Sequence, residues 1–206
     1  MAKLYFNYGA MGSSKSLRLL ALAHNLEEKN IPTIIIKPNI DTRDGDNKIV
    51  SRAGLSKDCI SVGVNVNLYE KVKEINNVMK THFSELSWVL VDEAQFLTEK
   101  QINQLSDIVD FLNINVYCYG LRTDFESRTF DGSRRLFELA DEIEEVKSYC
   151  ECGGKASINA RFDENGKIIT EGNQILVGGN DIYKPLCRKC WKKEIRKKNL
   201  ENETSY

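Results

Sequence analysis

Residues 7 to 16 read Asn7-Tyr8-Gly9-Ala10-Met11-Gly12-Ser13-Ser14-Lys15-Ser16. Gly9, Lys15 and Ser16 fall at the spacing of a phosphate-binding loop, GxxxxGK[ST], with Ser14 where the second glycine belongs. In such a loop backbone amides close on phosphate oxygens, the lysine reaches the outer phosphates and the hydroxyl holds Mg²⁺. A Gly/Ser turn between strand and helix is also an ordinary α/β junction. Context favours the chemical reading. Lys3 to Tyr8 reads as a strand, and Leu17, Leu20 and Ala21 start a helical apolar stripe directly after Ser16. That order aims free N–H groups and the positive end of a helix dipole at the loop, and Gly12 adds a flexible point inside it.

A second apolar strand, Trp88-Val89-Leu90-Val91, ends in Asp92-Glu93-Ala94-Gln95. Carboxylates at a strand end are how P-loop proteins hold Mg²⁺. Asp92 then orients the metal or its water beside Ser16, leaving Glu93 to take a proton from an attacking hydroxyl. The plainer alternative is a carboxylate interacting with a helix dipole.

Four of the six cysteines form two close pairs, Cys150/Cys152 and Cys187/Cys190. Four thiolates are the donor set of a closed tetrahedral Zn²⁺ site, which leaves no open position for catalytic water. The CxC spacing is tighter than in most zinc ribbons, and disulfides or unpaired core cysteines are the other readings. Cys59 and Cys118 are isolated, and Cys118, inside the apolar run Asn115 to Tyr119, reads as a small buried hydrophobe. Between the pairs, Gly178-Gly179-Asn180-Asp181-Ile182-Tyr183 is either a flexible turn or a place where backbone approaches a ligand next to an aromatic face.

These residues need a scaffold. Apolar runs at Leu4 to Tyr8, Thr33 to Lys37, Trp88 to Val91 and Val116 to Tyr119 read as buried parallel strands. Helical periodicity covers Ser16 to Lys29, Asn67 to Lys80 and Thr98 to Leu112, the last opened by a Thr98/Gln101 capping box. Residues 39–46 and 120–133 read as loops. The expectation is an α/β fold, a parallel sheet with flanking helices carrying its ligands at the strands' carboxyl ends, over residues 1–149. A small metal-stapled unit follows over 150–191, and then a basic tail over 192–206, read as solvated and frayed.

With 206 residues and 41% hydrophobic content, the chain can bury one substantial core. No apolar run suffices to cross a bilayer and no signal-peptide pattern is present, so a cytoplasmic location is expected. A net charge of −1 gives no overall bias toward nucleic acid or membrane.

Taken together, the segments resemble the bacterial and phage thymidine kinase family, in which a P-loop (RecA-like) domain is joined to a zinc-bound lasso. The resemblance is carried by Gly9-Ala10-Met11 through Lys15-Ser16, Lys37-Pro38 with Asp41-Thr42-Arg43, and Val91 through Leu97. It continues in Tyr119 through Phe125, Cys150 to Gly153, Gly178 to Tyr183 and Cys187 to Cys190. It implies ATP-dependent phosphorylation of the 5′-hydroxyl of thymidine, with Glu93 as general base. Gly9, Ala10, Met11, Gly12, Ser13, Ser14, Lys15, Ser16, Asp92, Glu93, Ala94 and Gln95 would form the donor and Mg²⁺ side. Phe96, Leu121, Phe125 and Tyr183 would surround the nucleoside, Gly178 and Gly179 would belong to the lasso, and the four cysteines would hold structural zinc. A homotetramer is implied as well, with no nucleic-acid partner.

Three departures from the family pattern stand out: Ser14 replaces a glycine, Leu17 stands where threonine is frequent, and Cys190 replaces a common histidine. A Cβ at a position expected to need positive φ costs about 1 to 2 kcal/mol. That corresponds to about a tenfold loss in ATP affinity. The rival readings are a nucleic-acid-dependent helicase, which needs two P-loop-type domains, and a non-catalytic zinc-ribbon nucleic-acid-binding protein with a degenerate P-loop.

Overall fold

The structure is a computed structural model that describes residues 1–40, 47–82, 84–174 and 183–203. Asp41-Thr42-Arg43, Gly178 and Gly179 lie outside the described residues. In chain order the first unit runs β1 (Leu4–Gly9), α1 (Lys15–Glu28), β2 (Thr33–Pro38), β3 (Lys48–Val50), β4 (Ser56–Asp58), β5 (Ile60–Val62) and α2 (Leu68–Thr81). It continues with β6 (Trp88–Val91), a 3₁₀ turn (Ala94–Phe96), α3 (Glu99–Leu112), β7 (Asn115–Leu121), α4 (Asp131–Leu139) and β8 (Glu142–Glu145).

Six strands form one sheet in the order β5-β2-β6-β7-β1-β8, every neighbouring pair parallel. Because parallel crossovers are right-handed, the direction a connection moves across the sheet decides the face its helix covers. The β1-to-β2 connection moves one way, while those through α2, α3 and α4 move the other. Accordingly α1 packs alone on one face, against Ile35, Leu90 and Tyr119 through Leu19, Leu20 and Ala23. The other three helices cover Phe6, Ile36, Val89, Val91, Val116 and Cys118. Ile35 and Ile36 thus serve opposite cores, as the period of two along a strand requires. Cys118 is fully buried and its thiol is pushed up by burial, in keeping with a small core hydrophobe.

Helix entry follows local chemistry. Asn67 accepts the Glu70 N–H at 3.2 Å to open α2, and the reciprocal Thr98/Gln101 capping box opens α3.

The sequence reading omitted both sheet edges, the β3–β4 hairpin and α4. β8 is Glu-Ile-Glu-Glu, with no apolar alternation to betray it; pairing to β1 recruits it, and Lys3, Arg18 and Lys155 balance its carboxylates. Residues 120–133 are a loop only in part, since β7 reaches Leu121 and α4 starts at Asp131, docking through the fully buried Leu136.

The second unit comprises β9 (Ser148–Tyr149), β10 (Lys155–Ala156), β11 (Ile158–Phe162), β12 (Ile168–Ile169), β13 (Tyr183–Leu186) and α5 (Arg188–Glu203). β9 and β10 form an antiparallel pair, and β11 is the centre of an antiparallel β12-β11-β13 sheet. Its core is small: Cys150, Ala156, Ala160, Phe162, Ile168 and Leu186, with Ala10 of the glycine-rich loop packed into it. The basic segment expected as a frayed tail is helical through Glu203, because Trp191 and Ile195 anchor α5 on that core. Among the described residues no helix is long and apolar enough to cross a membrane.

Candidate active site and thiol cluster

Gly9 ends β1, and a Cβ there would stand 2.4 Å from the Val146 carbonyl oxygen and 2.7 Å from Ser13 Oγ, so only glycine fits. The loop then needs two left-handed residues, Gly12 at φ +71° and Ser14 at φ +63°. Serine therefore occupies the positive-φ position anticipated for the missing glycine, at a cost of about 1 to 2 kcal/mol. Ser14 also caps α1 through its backbone, its carbonyl accepting the Arg18 N–H at 3.0 Å. Lys15, the first residue of α1, is buried and donates to Ala10 O at 2.9 Å and Ser13 Oγ at 3.1 Å, which holds the ammonium over the loop.

Asp92 follows the end of β6, two strands from β1, yet α1 brings Ser16 close enough to the Asp92 carboxyl to act on its ionisation. Burial pushes Asp92 up to about 7; the neighbouring Glu93 adds to the shift, and Ser16 and Lys15 oppose it. The Ser16 hydroxyl and the Asp92 carboxyl are oxygen donors at the end of the loop, a donor type that suits a hard divalent cation.

Glu93 stands at φ +49°, ψ +38°, a backbone state that non-glycine residues keep only where the surroundings impose it. Here they do. Gln95 donates from Nε2 to Glu93 Oε2 at 2.6 Å and accepts the Leu121 N–H on Oε1 at 2.9 Å, so one buried amide ties the carboxylate to the end of β7. Gly120 lets that amide approach: a Cβ there would lie 3.0 Å from Gln95 Oε1. Behind the turn Gly132 presses on the carbonyls of Leu97, Ala94 and Gln95, where a Cβ would come within 2.6 to 2.9 Å.

Ala94 is fully buried, and the half-buried Phe96 meets Phe130 edge-on at 5.7 Å. Leu121 ends β7 and Phe125 lies in the segment after it; Phe125 is buried with the Arg161 guanidinium 5.2 Å from its ring centre. Tyr183 opens β13 opposite Arg161 on β11. The structure thus gathers Lys15, Ser16, Asp92 and Glu93, and links them through Gln95 to Leu121.

Three polar residues hold positions to which the sequence reading gave no role, Asp124 among them although it lies in the Tyr119 to Phe125 segment. Asn159, 3% exposed, accepts the Met11 N–H at 2.7 Å and donates to the Thr123 carbonyl at 2.9 Å, so β11 holds the phosphate loop and the segment after β7 together. Asp124 accepts the N–H groups of Glu126 and Arg128 on one oxygen and Gln174 Nε2 on the other. Gln174 thereby pins the last described residue before position 175 to the segment carrying Phe125. Nothing local marks an Asn or a Gln for such work.

The Sγ atoms of Cys150, Cys152, Cys187 and Cys190 all lie within 4.8 Å of one another, unpaired by any disulfide. A tetrahedron of bonds of about 2.3 Å separates its sulfurs by somewhat under 4 Å, so the cluster suits Zn²⁺. The Cys190 backbone N–H, 3.5 Å from Cys187 Sγ, pulls that thiol down to about 7, while hydrogen bonding with Cys152 and Cys187 pushes Cys190 up to about 12. Gly153, at φ +82°, closes the turn of the CxC segment, its N–H donating to the Cys150 carbonyl at 2.8 Å.

The family model described as thymidine kinase matches residues 2–191. The thymidine kinase of Mannheimia succiniciproducens is 44% identical over 197 residues, covering 96% of this chain and 98% of that one. That of Haemophilus influenzae is 44% identical over 194 residues, covering 94% and 98%, and that of Vibrio vulnificus 42% over 197, covering 96% and 100%. With a phosphate loop, a strand-end carboxylate pair and a four-thiol unit in one parallel-sheet scaffold matched along nearly its whole length, the chain belongs to the thymidine kinase family.

Proposed function

We propose that the chain transfers the γ-phosphoryl group of ATP to the 5′-hydroxyl of thymidine, giving thymidine monophosphate and ADP. The observation that carries the reading is Glu93, next to the buried Asp92 and held by the Gln95 amide, at the strand end that faces Ser16 of α1. Lys15 and the amides from Gly9 to Ser16 bind the donor phosphates. Ser16 and Asp92 would hold Mg²⁺, which when bound would neutralise charge on the phosphate oxygens. Glu93 takes the proton from the 5′-oxygen as that oxygen attacks phosphorus. Phe96, Leu121, Phe125 and Tyr183, with Gly178 and Gly179, enclose the nucleoside, and the Cys150/Cys152/Cys187/Cys190 cluster holds a structural Zn²⁺. The same reading includes the homotetramer implied by family membership, checked by light scattering, and a cytoplasmic setting.

The test is formation of thymidine monophosphate from thymidine and Mg-ATP, with Glu93→Gln alongside. Glu93→Gln lowers kcat by at least a hundredfold and leaves the ATP dissociation constant within about twofold. Unchanged turnover in that variant removes Glu93 as base, and absence of product from the parent chain favours the non-catalytic zinc-ribbon reading.

A further inference from the structure

A cleft of about 350 Å³ opens between the segment after β7 and the first turns of α5, lined among others by Arg122, Lys155, Ser157, Arg188, Trp191 and Lys192. It shares no residue with the phosphate loop, the strand-end carboxylates or the thiol cluster. Four cations from three separate stretches of chain line it, and no carboxylate does. In a protein of net charge −1 that is a local imbalance. Of these four cations only Lys155 has an ion-pair partner among the described residues, Glu145 at 2.6 Å. Like charges gathered in a concave, partly apolar site repel one another, focus positive potential and favour an anion. Arg188 opens α5, so the positive end of that helix dipole adds to the field.

Trp191 gives the cleft a second chemistry. The indole is half-buried, packed on the core of the thiol unit and lining the cleft as well. Ile158, buried, adds an apolar patch to the lining. An aromatic wall beside two guanidiniums and two ammoniums suits a ligand that joins a planar ring to phosphates, and the volume lies in the range of small-molecule sites. We propose that this cleft is a second nucleotide site, with phosphates on Arg122, Arg188 and Lys192 and the base against Trp191. The proposal rests on the cleft alone and is independent of the assigned phosphoryl transfer.

The experiment uses the full-length, zinc-loaded chain carrying Lys15→Ala to weaken the phosphate loop and Trp88→Phe to leave Trp191 as the only tryptophan. ADP is titrated against Trp191 fluorescence, with tripolyphosphate, adenosine and a single-stranded oligonucleotide as parallel probes. Saturable quenching by one equivalent of ADP is expected, weakened at least tenfold by Arg188→Ala/Lys192→Ala. The control Lys189→Ala/Lys193→Ala removes the same charge from the same helix outside the cleft and is expected to change affinity less than twofold. Absence of ADP quenching, or equal losses in the two double variants, overturns the site. Tripolyphosphate binding as tightly as ADP overturns the nucleotide assignment in favour of inorganic polyphosphate, and preferential oligonucleotide binding overturns it in favour of nucleic acid.

Discussion

Ser14 carries a backbone conformation that glycine adopts at no steric cost, and the loop keeps it there because Ser14 also starts α1. The strain is therefore paid in stability and leaves the loop closed. Ser14→Gly is expected to raise unfolding free energy by about 1 kcal/mol in urea titrations and to change the ATP KM by less than about tenfold. Ser14→Val is expected to destabilise, because a β-branched side chain tolerates this region worst. Asp92 offers a pH test. Its folded-state value, up to about 7 from 3.8, means that the folded chain holds a proton the unfolded chain has lost between roughly pH 4 and 7. Its contribution to stability accordingly declines as pH rises through that window. Asp92→Asn cannot ionise, so without Mg²⁺ its stability relative to the parent is expected to be greater at pH 8 than at pH 5, while kinase turnover is lost. A stability difference that does not change between those pH values removes this account of the buried carboxylate.

Elements hold these residues by contacts that substitutions can grade. Thr98 and Gln101 satisfy each other's backbone at the start of α3, which carries Ile102, Leu105 and Ile108 into the core. Thr98→Ala is expected to cost about 1 kcal/mol in unfolding free energy with kcat unchanged. Gly132 is different in kind, because α4 meets the 3₁₀ turn of the active site backbone to backbone there. Gly132→Ala is expected to cost about 1 to 3 kcal/mol, and kcat should fall as well, since separating α4 from the turn shifts Gln95 and with it Glu93. Equal kcat in both variants contradicts the buttress.

Across the whole molecule, the thiol unit and the sheet domain meet at the phosphate loop: Ala10 packs into the small core, and Asn159 holds Met11 and Thr123. A core of so few buried side chains calls for a staple such as the metal that the four thiols would hold. Chelation of zinc is expected to lower kinase turnover and raise the ATP KM together, with recovery on adding Zn²⁺ back. Cys187→Ser should reproduce the loss without recovery. Retained activity after complete metal removal separates the staple from the loop.

Much of this was legible in the order of residues. The phosphate loop, the Asp92-Glu93 pair, the cysteine pairs and the central strands are local signals: spacing, period and residue type determine them before any folding. So was the need for positive φ at Ser14, since the loop's own closure imposes it. The remainder depends on partners distant in sequence. β8 is a strand because β1 offers it an edge. Glu93 is held in place because Gln95 finds the Leu121 amide 26 positions on. Asn159 joins the two units because the fold places it 148 positions from its Met11 partner. The cationic cleft exists because Arg122 and α5, far apart in sequence, are folded together. Composition fixes which chemistries are available, and tertiary structure decides which of them meet, because convergence costs chain entropy that only a packed core supplies.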